Sequence, residues 1–62
     1  MSKIREARKA LGISQVRLAQ MLDVTPGAVG QWEHGQTRPR AGKLLLLSSI
    51  LGVPVEELLK VG

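Results

Sequence analysis

The chain carries two helix starts in close succession, and the link between them leaves the backbone little choice. Ser14 stands before QVRLAQML, and Thr25-Pro26 stands before GAVGQWE. A Ser or Thr oxygen caps a helix by accepting a bond from an orphan backbone N–H, and proline suits the first helical position, where its missing N–H costs nothing. The link, Asp23-Val24-Thr25, is too short for anything but a tight turn. The spacing predicts a helix over 15–22 with Leu18, Ala19 and Leu22 as its apolar stripe. A further helix opens at Pro26, passes Val29 and Trp32 on one face and stops at Gly35, giving about nine residues.

The flanking segments are also helical. Residues 2–11 form an amphipathic first helix with Ile4, Ala7 and Leu11 on its inner face, Ser2 as cap, and Gly12 beyond the end, where a left-handed residue is wanted. After the polar loop QTRPR, Leu44 to Leu51 make a fourth helix closed by Gly52, and Pro54 opens a short fifth carrying Val55, Leu58 and Leu59. There is no strand signal, since β-branched residues are isolated, Trp32 is the sole aromatic residue and no Asn-Gly or Asp-Gly turn occurs. The expected fold is all-α, a compact five-helix single domain over 1–62. A helix pair occupies about 14–34, and about 41–60 holds the last two helices.

Composition narrows the function. At 62 residues a chain buries only about 60% of its unfolded surface, which leaves material for one core. It has no cysteine, hence no disulfide and no thiolate metal site. No apolar run approaches the 18 or so residues of a membrane span, and MSKIREARKALG lacks the apolar segment and cleavage site of a secretory signal. The expected location is the cytoplasm of a bacterium or a phage-infected host, associated with the nucleoid. With one His, no Cys, no Tyr and five scattered carboxylates, no set of nucleophile, base and orienter can be drawn, so no enzyme, cofactor or small-molecule ligand is expected. His34 stands alone, so no metal site is expected either.

Charge is distributed unevenly. Residues 1–43 hold Lys3, Arg5, Arg8, Lys9, Arg17, Arg38, Arg40 and Lys43 against Glu6, Asp23 and Glu33, whereas 44–62 hold Lys60 against Glu56 and Glu57. The first two-thirds is basic and suits a polyanion, while the remainder is mainly apolar.

Two short helices joined by a three-residue turn have the geometry of the DNA-binding helix-turn-helix. SQVRLAQMLDVTPGAVGQWEHGQTRP moreover resembles the Cro/CI-repressor-like (lambda repressor-like) helix-turn-helix family, whose pattern is S-Q-x-x-L-A-x-x-L-G-V-S-x-x-x-I-S-x-W-E-x-G-x-x-x-P. Ser14, Gln15, Leu18, Ala19, Leu22, Val24, Val29, Trp32, Glu33, Gly35 and Pro39 match or nearly match it. Helix 1 and LGVPVEELL follow more loosely, so the resemblance covers almost the whole chain, in its compact Cro-type form. Asp23 replaces the family's turn glycine. Arg17 stands where relatives carry a capping-box Glu, a loss against the helix dipole that a DNA phosphate would offset. Gly27 and Gly30 lie inside the recognition helix, each at about 1 kcal/mol of helix propensity relative to Ala; without side chains there, the helix can sit deep in a groove.

The resemblance assigns base contacts to Pro26, Gly27, Ala28 and Gln31, of which only Gln31 carries hydrogen-bonding groups; Gln pairs bidentately with adenine, and Ala28 and Pro26 suit a thymine methyl. Phosphate contacts are expected at Gln15, which in the family opens helix 2 against the backbone, and at Arg17, Thr25, Gln36, Thr37, Arg38 and Arg40, with Lys9 and Lys43 as weaker candidates; His34 suits a cap-region or a phosphate contact. The resemblance pairs Arg8 with Glu33 as a structural brace, and sets Trp32 in a core with Ile4, Leu11, Leu18, Ala19, Leu22, Val29, Leu47, Leu51 and Leu58. LLLLSSIL is apolar on more than one face, so Leu45, Leu46, Leu59 and Val61 are expected on a weak homodimer surface. A two-fold dimer would place recognition helices in successive major grooves of a near-palindromic operator, about 34 Å apart. The expectation is a sequence-specific, double-stranded-DNA-binding repressor. The alternative is a protein-interaction module, such as an antitoxin, acting through the last two helices.

Overall fold

A computed structural model describes residues 1–60 as five helices: α1 Ser2–Ala10, α2 Gln15–Leu22, α3 Pro26–Glu33, α4 Ala41–Leu51 and α5 Val55–Leu58. Among these residues there is no strand. The fold is all-α.

Local chemistry sets most boundaries. Ser14 Oγ accepts from the Arg17 N–H at 3.0 Å, and Thr25 Oγ1 accepts from the Ala28 N–H at 3.2 Å, so α2 and α3 begin where their caps stand. α2 ends at Asp23, which takes the left-handed conformation (φ 57°, ψ 47°) that the family leaves to glycine. An Asp side chain tolerates this region better than most. Gly12 and Gly52 also adopt positive φ, at 70° and 67°, just past α1 and α4.

Several boundaries differ from expectation: α1 ends at Ala10, and α5 begins at Val55 with Pro54 as its N-cap. Ser2 does not cap α1 but is its first residue, with Met1 in the cap position and the Ile4 N–H donating to the Met1 carbonyl. α3 has eight residues and closes at Glu33, with His34 as its C-cap. α4 begins at Ala41, three residues before the apolar run. Ala41-Gly42-Lys43 carries no periodic signal, yet Arg40 is extended at the cap and the Leu44 N–H bonds its carbonyl at 2.8 Å.

Every helix contributes to one core: Ile4 from α1, Leu18, Ala19 and Leu22 from α2, Val29 and Trp32 from α3, Leu47 and Leu51 from α4, and Leu58 from α5. Each fully buried aliphatic side chain stabilises the fold by about 1.5–3 kcal/mol. Leu11 is a correction to the expected core, being 52% exposed. Because α1 ends at Ala10, Leu11 sits at the C-cap and turns to solvent, while Ile13, beyond the turn, packs against the core instead. α2 packs chiefly on α3, and α1 bridges α3, α4 and α5. The α2–α3 pair is thus held from behind while its outer face stays open.

Candidate nucleic-acid interface

α3 has two unlike faces. Val29, Trp32 and Glu33 are buried, whereas Pro26, Gly27 and Gln31 are exposed. Ala28 is half-buried and packs against the core, so its methyl is only partly available to a partner. Neither helix glycine answers a steric demand of this protein. A Cβ at Gly27 would lie 3.9 Å from Thr25 Oγ1, and one at Gly30 would lie 3.8 Å from the Gln15 amide nitrogen, both ordinary contacts. The two glycines leave the outer face of α3 low and flat, with Gln31 as its prominent polar side chain.

Behind that face lies a buried ion pair. Arg8 Nε donates to Glu33 Oε2 at 2.6 Å, Arg8 NH2 donates to Oε1 at 3.2 Å, and the Gln15 amide donates to Oε1 at 3.0 Å. The remaining guanidinium nitrogen donates to the Ile13 carbonyl at 2.9 Å, tying α1 to the turn before α2. Burial by itself would raise the Glu33 carboxyl; the hydrogen bonds from Arg8 and Gln15, with the charges of Arg8 and Arg5, outweigh it and hold the group below the ordinary carboxylate value. The bond to Glu33 raises Arg8 in turn, so both stay charged. Three segments are thereby locked at the end of α3.

The remaining expected contact residues fall into two groups. Thr25 and Arg17 are exposed at the starts of α3 and α2, and Gln36, Thr37, Arg38 and Arg40 are exposed in the loop that follows α3, where the Thr37 hydroxyl lies 3.5 Å from Gln31 Oε1. Gln15 is half-buried and its amide already serves Glu33. Lys43 is a different case: its ammonium donates to the Leu22 carbonyl at 2.5 Å and satisfies a carbonyl at the carboxyl end of α2. That bond joins residues far apart in sequence, so no local pattern announces it.

A small cleft of about 180 Å³ opens beside the brace, lined by Arg5, Arg8, Gln15, Glu33 and His34. Arg5 was not anticipated there, although it stands three residues before Arg8 and therefore on the same side of α1. Leu45, Leu46 and Leu59 are 64%, 48% and 41% exposed on α4 and just past α5; Val61 lies outside the described residues. Among those residues no group of His, Cys, Asp and Glu could hold a metal ion, and no helix is long and apolar enough to cross a membrane.

Comparison with known proteins agrees with this arrangement. A helix-turn-helix family model matches residues 4–58. The chain is 41% identical over 58 residues to the Repressor protein C2 of Salmonella phage P22, covering 94% of this chain and 27% of that protein. It is 38% identical over 58 residues to an uncharacterised prophage-derived transcriptional regulator of Bacillus subtilis, covering 94% and 54%. It thus spans between about a quarter and about half the length of these relatives. A crystal structure of the P22 c2 repressor in complex with a synthetic operator superposes with a TM-score of 0.88 at 41% identity, over 94% of this chain and 88% of that one. With the family match spanning nearly all five helices and the α2–turn–α3 pair in place, the chain belongs to the helix-turn-helix family, in its Cro/CI-repressor-like form.

Proposed function

We propose that this chain binds double-stranded DNA in a sequence-dependent way and acts as a transcriptional repressor, laying α3 in the major groove. One observation carries the reading: its fold, at 41% identity, is that of a repressor solved on operator DNA. The geometry supports it. α3 offers a low outer face around Gln31, its amino end is capped by Thr25, and the loop beyond it presents Arg38 and Arg40 to solvent. Gln31 reads a base edge, with Pro26, Gly27 and the exposed part of Ala28 giving apolar complementarity. Gln15, Arg17, Thr25, Gln36, Thr37, Arg38 and Arg40 fix the register on the phosphates. Lys43 is withdrawn from that set because its ammonium is engaged at Leu22.

The exposed leucines of α4 and the end of α5 support a second element of the proposal, a weak homodimer on a near-palindromic operator. The relatives named above are transcription regulators, and none is named as an enzyme. A cytoplasmic site of action follows from the same reading. Selection of bound duplexes from a random-sequence pool at near-physiological salt tests it. Enrichment of an inverted repeat is the expected result, a single enriched half-site would remove the dimer, and no enrichment would overturn sequence-specific binding.

A further inference from the structure

The loop that leaves α3 folds back onto the helix. His34 is the C-cap, and Gly35 beyond it takes positive φ, 76°, which glycine adopts without steric cost. The Gly35 N–H then donates to the Trp32 carbonyl at 3.2 Å, and the Gln36 N–H donates to the Gln31 carbonyl at 2.9 Å. Two orphan carbonyls of the last turn are thus closed by the two residues past the cap, the pattern of a Schellman motif. The backbone at Gln36 is fixed against Gln31, and the next residue is delivered to the Gln31 side chain: the Thr37 hydroxyl donates to Oε1 at 3.5 Å. Both side chains are exposed.

We propose that Thr37 is a specificity-determining residue that acts through Gln31, holding its amide in the orientation that reads a base edge. The inference rests on the duplex-binding reading above and adds a positioning residue to its base-reading set. A glutamine on an open helix face samples several rotamers and loses that freedom when it meets a base; a tether formed before binding removes part of the loss. The tether leaves the reading groups free. Oε1 has two acceptor positions, of which Thr37 uses one, and the Nε2 donors have no partner among the described residues, so the donor and acceptor that adenine requires both remain. The single hydrogen of the hydroxyl cannot serve twice. A phosphodiester oxygen only accepts, so a phosphate contact at Thr37 falls to its backbone N–H, which has no acceptor among the described residues.

Thr37→Val removes the hydroxyl at nearly constant shape and keeps the backbone N–H, whereas Thr37→Ser keeps both. Circular dichroism confirms that these variants, Gln31→Ala and the double variant are folded. Each is titrated against the duplex selected from the random pool, its single base-pair substitutions and random duplex. In Thr37→Val the ratio of selected to random affinity should fall about two- to fivefold, the order of one weak neutral hydrogen bond, through the base position that Gln31→Ala relaxes. The salt slope, which counts neutralised phosphates, should not fall with it. Thr37→Ser should keep the ratio, and Thr37→Val should lower it no further once Gln31 is alanine. A merely structural role, or a hydroxyl bond to phosphate, would weaken every duplex alike and add to Gln31→Ala. Uniform weakening, additive effects or an unchanged ratio in Thr37→Val overturns the inference while the regulator reading stands. If the wild type binds no duplex selectively, both fall.

Discussion

Replacing Glu33 by Gln leaves the Arg8 guanidinium buried without a counter-charge, a change that costs about 3–5 kcal/mol. A domain of this size holds roughly 3–9 kcal/mol in total, so urea unfolding of Glu33→Gln should show a midpoint lowered by about a third or more. The pair also sets an acid limit. Because the folded Glu33 carboxyl lies below its ordinary value of 4.5, its contribution is complete above that pH and is lost as the pH falls through the lower folded value. The wild-type midpoint should therefore drop below pH 4.5 more steeply than that of Glu33→Gln; equal slopes would remove Glu33 as the cause. On DNA, Gln31→Ala should cost about 1–3 kcal/mol on the preferred site alone and relax one base position, while Arg38→Ala should weaken all sequences alike; competition titrations on matched and mismatched duplexes separate the two. Ser14, Thr25 and Asp23 were legible in the sequence because a cap or a left-handed residue acts within a few positions. The Lys43 bond to Leu22 and the place of Arg5 on the cleft were not, because each depends on which helix lies opposite.

The recognition helix carries a conflict between its own stability and its surface. Gly27 and Gly30 weaken α3 by about 1 kcal/mol each relative to alanine, and nothing around them in the protein would resist a methyl group. Gly30→Ala should accordingly raise the thermal midpoint and, if the flat face is pressed into a groove, weaken duplex binding. Higher stability with unchanged affinity would show that the face is not used at that position. The starts of α2 and α3 and the turn between them could be read from caps and a proline, but the cap of α1 and the first turn of α4 could not. Ala41-Gly42-Lys43 lacks apolar spacing; its place is marked by the Leu44 N–H bonding the Arg40 carbonyl and by Lys43 reaching α2. Leu11 failed for the converse reason: its spacing from Ile4 and Ala7 is helical, but α1 stops one residue short and turns it outward.

Across the whole molecule the apolar content exceeds what one core uses. Leu45 and Leu46 remain exposed on α4, and Leu59 beside the end of α5. Sedimentation of the wild type should show a concentration-dependent dimer, strengthened by a duplex with two half-sites, and Leu46→Glu should reduce it without loss of helix content. A monomer under both conditions would sink the dimer. The sequence by itself determined the all-α class, the cap-defined helix pair, the inward face of α3 with Val29 and Trp32, and the family to which the chain belongs, because caps, turns and apolar periodicity are local interactions written within a few residues. Tertiary structure alone decided that Gln15 bonds Glu33, that Lys43 closes α2 rather than facing outward, that Leu11 is left in solvent, and that Arg5 and His34 share one cleft. Those outcomes follow from the relative placement of helices, and it is the packing of all five around one core, rather than any short segment, that sets it.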